Sequence, residues 1–242
     1  MKYIKQYGEL RTGTNYLKRL VELNFPDVTV FGSILGWKHG TYDLSNTIDN
    51  TRSHYEWIEK KTKKGIVYSV DNLPLHKHPP EVLREAVTGI HYLFSIKKPV
   101  PFILSYKKFR LPNKLLTDTH IINLCNRYNE RYRKWLEMYK LNESRSFFIT
   151  YESLIRDINH VLLNIELRFG LDKLSPEASY IDETNPVNAS TDIGLIIDKK
   201  KTFNKAYYLE EKYLDEFSES QLNIIDNNID QGLLEEIYKV GL

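Results

Sequence analysis

Residues 8 to 15 read Gly8-Glu9-Leu10-Arg11-Thr12-Gly13-Thr14-Asn15, one guanidinium and two threonine hydroxyls in a glycine-flanked segment. Such a segment binds anions when its backbone N–H groups converge on one point and a helix dipole begins behind it. The Gly8-x4-Gly13 spacing is that of a Walker A loop, but Thr14-Asn15 stands where the Lys-Ser/Thr pair should follow. A triphosphatase needs that lysine on the β- and γ-phosphates. Arg11 is the one cation in the segment, so the sequence predicts a phosphate cradle without ATPase chemistry. A second cluster, Gly36-Trp37-Lys38-His39-Gly40, sets an imidazole beside an ammonium group. Histidine titrates near neutrality and can take a proton without large pKa tuning.

These groups can act together only if secondary structure delivers them to one place. Tyr3-Ile4-Lys5-Gln6-Tyr7 alternates and is rich in β-formers, while Leu17, Leu20, Val21 and Phe25 share a helical face. The first cluster therefore lies between a strand and a helix. Further strands are predicted at 28–31, 65–70, 91–96 and 146–150, and helices at 53–61, 79–87, 100–108, 118–139 and 151–169. Residues 171–202 read as loop, and two or three helices close the chain. Strands alternating with helices imply a mostly parallel central sheet flanked by helices on both faces, a three-layer α/β fold of the P-loop type. In a parallel sheet, the loops leaving the C-terminal strand ends share one crevice, so Arg11 and His39 are expected to face each other there.

Bulk properties bound the function classes. With 242 residues and no linker or repeat, the chain suits a single domain over 1–242. A hydrophobic share of 41% and a charged share of 27% are ordinary for a globular protein, and a net charge of +2 does not suit a nucleic-acid coat. The runs at 60–64 and 199–201 read as solvated faces. A single cysteine, Cys125, excludes an internal disulfide framework and fits a reducing, cytoplasmic setting; its apolar surroundings suggest a buried thiol. Neither a signal peptide core nor a membrane-spanning window is visible, so the sequons at Asn142 and Asn188 carry little weight.

Several segments together resemble the sulfotransferases that use 3′-phosphoadenosine 5′-phosphosulfate (PAPS). Arg11-Thr12-Gly13-Thr14-Asn15 is similar to that family's 5′-phosphosulfate loop, a P-loop variant lacking the Walker lysine, and lies between the first strand and first helix. Lys97 and Ser105 resemble the second signature, a basic residue ending a strand with a serine eight positions on. The family usually has arginine at the first of these positions; lysine keeps the charge and loses the bidentate fork. Phe148-Ile149-Thr150-Tyr151-Glu152-Ser153-Leu154 resembles the strand-to-helix element after the long helix. The segment from Phe203 to Tyr208 and the closing helices also look like bacterial members.

The resemblance implies PAPS as sulfuryl donor and no metal. It implies that Arg11, Thr12, Gly13, Thr14 and Asn15 hold the 5′ end, and Lys97 and Ser105 the 3′-phosphate. One of Lys199, Lys200 and Lys201, with Lys200 in the middle, is implied as a further phosphate contact from a closing loop. Carbohydrate-type members place a catalytic glutamate roughly where His39 stands, which makes His39 the candidate base, with a substrate contact and a structural or merely exposed histidine as its other readings. Lys38 is a candidate sulfate contact. The implied acceptor is a hydroxyl on a glycan or small molecule, met by loops at 41–64 and 171–198.

Other clusters point to less. His76-Lys77-His78 lacks a third ligand at metal-binding spacing, and His54, His91, His120 and His160 are scattered. Glu152 reads as structural, and the tyrosines of the long helix as core. Two rival functions stay open: a P-loop nucleoside or small-molecule kinase, and a non-catalytic nucleotide- or anion-binding module. Oligomeric state leaves no signal.

Overall fold

A parallel sheet covered on both faces needs strands that are apolar on both sides, and alternation along these strands feeds two separate cores. The computed structural model describes residues 2–32, 37–41, 89–175 and 204–242. In it, β1 (Lys2–Gly8) leads to α1 (Thr14–Asn24) and β2 (Val28–Phe31), and later β3 (His91–Ile96) leads to α2 (Pro99–Arg110) and α3 (Asp118–Leu141). There follow β4 (Ser146–Thr150), α4 (Tyr151–Arg156) and α5 (Ile158–Phe169), then α6 (Lys205–Leu209), α7 (Glu219–Asn228) and α8 (Gln231–Val240). Ile4, Val30, Leu93 and Ile149 join Leu17, Leu20, Val21, Leu154, Val161 and Ile165 in one core, on the side of α1, α4 and α5. Tyr7, Phe31, Phe94 and Phe148 point the other way, against Phe102, Tyr128, Tyr132, Trp135, Ile225 and Ile237 of α2, α3, α7 and α8.

The described strands form a four-stranded sheet in the order β2-β1-β3-β4, and every neighbouring pair is parallel. From β1 the chain goes to β2 on one side, and β3 takes the other side. The order therefore reverses at β1, and the loop after it lies where the crossovers diverge, the usual ligand crevice of open α/β sheets. Gly241 bridges to Phe148, with Leu242 N donating to Phe148 O (3.1 Å) and Thr150 N to Leu242 O (2.8 Å).

Four of the strands expected from sequence are these four. The predicted strand at 65–70, the helices at 53–61 and 79–87, and His54, His76, His78 and Lys199, Lys200 and Lys201 lie outside the described residues. One element differs from expectation: the single helix over 151–169 is two helices. Asp157 leaves helical geometry (φ −145°), and its side chain accepts from His160 N (3.0 Å), capping α5. A short carboxylate there satisfies an N–H of the next helix start better than it continues the previous helix. Gly170 ends α5 in a left-handed conformation (φ 58°), as expected of glycine at that place.

Candidate functional site

The loop after β1 is shaped by close packing at its base. A Cβ on Gly8 would lie 2.1 Å from Ser95 Oγ and 2.9 Å from Thr14 Cγ2, so only glycine lets β1, β3 and α1 converge here. Arg11 (φ 71°) and Gly13 (φ 80°) both take left-handed conformations. Those two angles make the turn that leads from β1 into the start of α1. Gly13 is the N-cap of α1 and supplies no side-chain cap, leaving the helix start to whatever acceptor approaches it.

The loop residues divide by role. Thr12 is fully buried, and its hydroxyl donates to Glu9 O (2.7 Å) and lies 3.2 Å from Ser95 Oγ. In this arrangement the Thr12 hydroxyl is engaged within the loop and against β3. Arg11 is exposed, with its guanidinium over the ring of Phe109 on α2 at 5.2 Å. Lys38 reaches across from the segment after β2 to bond Asn15 Oδ1 in the first turn of α1.

Lys97 and Ser105, singled out by the resemblance, do meet: Nζ donates to Ser105 Oγ at 3.0 Å across eight residues. Pro99 starts α2 two residues beyond Lys97, and that first turn and a half brings the serine back over the strand end. Lys97 is 1% exposed, and its ammonium sits over the faces of Tyr151 (4.2 Å) and Tyr208 (4.3 Å). Burial lowers its pKa to about 7; nearby Glu152 opposes the shift, while Arg11 and Lys108 add to it. The Arg11 guanidinium is thus near enough to Lys97 to disfavour its charged form.

His39 is buried, with Nδ1 2.6 Å from Gly8 O, and Gly8 N donates back to Lys38 O (2.9 Å). A carbonyl can only accept, so Nδ1 carries the proton and Nε2 the lone pair. The Trp37 ring packs edge-on against the imidazole at 4.9 Å. Burial drives the His39 pKa down to about 3; Lys38, Arg131 and Arg127 push the same way, and the Gly8 carbonyl opposes them. The expectation of an imidazole poised near neutrality is corrected by this environment. The charges acting on it come from Lys38 and α3, whereas Arg11 acts on Lys97.

One helix ties these segments together, which the sequence did not reveal. Along α3, Tyr128 OH donates to Lys97 O (2.8 Å), Tyr132 OH to Ser95 O (2.9 Å) and Trp135 Nε1 to Gly40 O (3.2 Å). Arg127 and Arg131, from the same helix, grip Glu9 at 2.7 Å and 2.6 Å. The tyrosines do lie in the core, as read, but their hydroxyls also anchor the strand end that carries Lys97. An arginine pair at i, i+4 beside an apolar stripe was the available signal. Glu152 is structural in kind: it accepts from Lys98 N (3.1 Å) and Tyr238 OH (3.4 Å), and burial raises its pKa. Among the described residues no group of three or more His, Cys, Asp or Glu could hold a metal ion.

A loop without the Walker lysine at the switch point of a parallel sheet, with a buried lysine just past β3 bonded to a serine on α2, defines an open α/β protein with cationic groups around its crevice. No family model and no curated protein matches the chain by sequence. Solved structures do match by shape. Mouse sulfotransferase SULT7A1 complexed with PAP is 16% identical, with a TM-score of 0.51 over 98% of this chain and 82% of that one. Retinol dehydratase in a complex with retinol and PAP is 16% identical, with a TM-score of 0.53 over 100% of this chain and 83% of that one. The same enzyme with androsterone and inactive cofactor PAP gives 15% identity and a TM-score of 0.51, covering 100% and 82%. The chain has the sulfotransferase fold.

Among the described residues no helix is long and apolar enough to cross a membrane.

Proposed function

We propose that this protein transfers the sulfuryl group of PAPS to an acceptor hydroxyl. The observation that carries the reading is the Lys97–Ser105 bond, a buried cation bordering the same region as a phosphate loop that lacks the Walker lysine. In this reading Lys97 and Ser105 hold the 3′-phosphate. Arg11, Gly13, Thr14 and Asn15, with the N–H groups of the loop and α1, hold the 5′ end; Thr12 fixes the loop's shape. The donor supplies an activated S–O bond. As the acceptor O–H gives up its proton, its oxygen bonds to sulfur, and the S–O bond to the 5′-phosphate breaks with its electron pair on the leaving phosphate. Arg11 and the loop N–H groups oppose the charge that builds there. His39 Nε2 is the candidate proton acceptor. Its low pKa makes it a weak base, and a multiply charged anion in the cradle raises that pKa. Lys38, held near α1 by Asn15, is the candidate sulfate contact, and Lys200 the candidate further contact to the 3′-phosphate.

The acceptor follows the place of the base. His39 stands after β2 where carbohydrate-type sulfotransferases carry theirs, which favours a glycan hydroxyl. Retinol and androsterone in the structural relatives favour a small apolar alcohol as the second reading. The chain acts as one domain over 1–242, in a cytoplasmic, reducing setting that suits Cys125, whose thiol burial holds at a pKa of about 11.

Titration calorimetry tests the donor: adenosine 3′,5′-bisphosphate (PAP) binds more tightly than Mg·ATP and without Mg²⁺. Equal or better binding of Mg·ATP points instead to the kinase reading. Transfer from labelled PAPS to a panel of glycans, sterols and retinoids then tests the acceptor. A panel-wide failure to transfer with PAP binding intact supports the binding-module alternative.

A further inference from the structure

We propose that Glu9 is a positioning residue for the phosphate loop: its carboxylate, clamped by Arg127 and Arg131 of α3, holds Arg11 where the donor's 5′ end binds. The proposal rests on the donor reading above. A carboxylate in the middle of an anion cradle is out of place on charge alone, yet Glu9 is fully buried inside the loop. Its oxygens are taken up by charged donors. Arg127 binds both with its fork, Nε to Oε1 at 2.9 Å and Nη2 to Oε2 at 2.7 Å, and Arg131 Nη1 binds Oε1 at 2.6 Å. A planar bidentate pair with a third donor fixes the direction of the carboxylate as well as its place.

That rigidity passes to the turn. Leu10 N donates to Glu9 Oε2 (3.0 Å), and Glu9 O accepts from both Thr12 N (3.3 Å) and Thr12 Oγ1 (2.7 Å). Between these anchors lies Arg11 at φ 71°, a conformation unfavourable for a residue with a side chain. An unfavourable backbone angle persists when its surroundings over-determine it, and Glu9 and its partners do so here. Tyr128 and Tyr132 of the same helix hold the carbonyls of Lys97 and Ser95, so they act on the 3′-phosphate side of the crevice. Glu9 acts on the 5′ side.

The two sides can be measured separately. PAP carries phosphates at 3′ and 5′, whereas adenosine 3′-monophosphate carries only the first, so the ratio of their affinities reports the loop. Calorimetry on the full-length protein is expected to show that Glu9→Gln lowers this ratio about tenfold while the affinity for the 3′-monophosphate is unchanged. The direction is diagnostic, because deleting a negative charge would by itself tighten anion binding. A ratio that stays constant or rises in Glu9→Gln overturns the proposal, as does an equal weakening of both nucleotides. Should Glu9→Gln fail to fold, Arg131→Gln leaves the Arg127 fork in place and is expected to lower the same ratio about threefold, with Arg131→Lys restoring part of it. An unchanged ratio in Arg131→Gln then overturns the proposal. A wild-type protein that does not prefer PAP defeats the donor reading and Glu9's role with it. A preference present in wild type and kept in Glu9→Gln defeats Glu9's role alone.

Discussion

Lys97 Nζ donates to Ser105 Oγ at 3.0 Å while its charge sits between the ring faces of Tyr151 and Tyr208. The π-faces attract a cation, but they replace little of the water lost on burial, and the pKa falls to about 7.

A phosphate bound beside Lys97 raises that pKa again, so binding takes up a proton wherever the unliganded lysine is neutral. Near pH 8, where PAP is fully ionised, we expect uptake of close to one proton per PAP bound. Calorimetry in buffers of different ionisation enthalpy reads the number directly. Lys97→Arg is charged throughout and should bind PAP with no uptake at this site, while Lys97→Met should lose about tenfold or more in affinity. Uptake that persists in Lys97→Arg would assign the proton to another group.

His39 imposes a pH dependence on stability. Its folded pKa of about 3 lies below the ordinary 6.5, so the folded state binds fewer protons between those values, and stability rises with pH across that window. The contribution is fully present above pH 6.5 and is lost progressively as the pH falls toward 3. His39→Asn can still donate to the Gly8 carbonyl from the Nδ1 position but cannot titrate. Urea unfolding from about pH 4 to pH 7 should show a shallower slope for this variant than for wild type. As candidate base, His39 also predicts that turnover falls by about a hundredfold in His39→Asn while PAP affinity holds within about twofold. Intact turnover would remove it from the chemistry.

Glycine substitutions separate packing from loop conformation. Gly8→Ala drives a methyl to within 2.1 Å of Ser95 Oγ and 2.9 Å of Ser95 O, and is expected to cost about 3 kcal/mol in thermal or urea unfolding. Gly13→Ala meets Tyr151 at 3.0 Å with φ at 80°, and should cost about 1–2 kcal/mol while weakening PAP binding. A Gly13→Ala protein with normal PAP affinity would argue that the loop does not touch the ligand.

Asp157→Ala removes the acceptor that starts α5 and should destabilise the fold by about 1 kcal/mol, leaving PAP affinity unchanged. Chemical denaturation with a parallel titration checks both. A loss of affinity would mean that the α4–α5 junction communicates with the site.

Much of the architecture was legible because it rests on local patterns. The alternation of Tyr3 to Tyr7, the helical stripe from Leu17 to Phe25 and the long stripe of α3 each announce a buried face without reference to the rest of the chain. The junction at Asp157 was not, since Leu154, Ile158, Val161 and Leu162 keep helical spacing across it. One carboxylate's choice of partner decided the break. In the site, the loop was legible because it is short in sequence and set by a strand end feeding a helix, while the Lys97–Ser105 pair was marked by its resemblance to a family signature.

The sequence by itself determined where the four described strands lie along the chain, a glycine-flanked loop without the Walker lysine between the first strand and helix, and a lysine and a serine eight positions apart. Only the tertiary structure decided what surrounds those groups. It buried His39 against Gly8 and lowered its pKa, caged Lys97 between two tyrosines from distant segments, and brought Arg127 and Arg131 to Glu9 across more than a hundred residues. The reason is physical. A residue's type fixes which charges and hydrogen bonds it can offer, but desolvation and long-range partners fix what those groups do, and both exist only once the chain has packed.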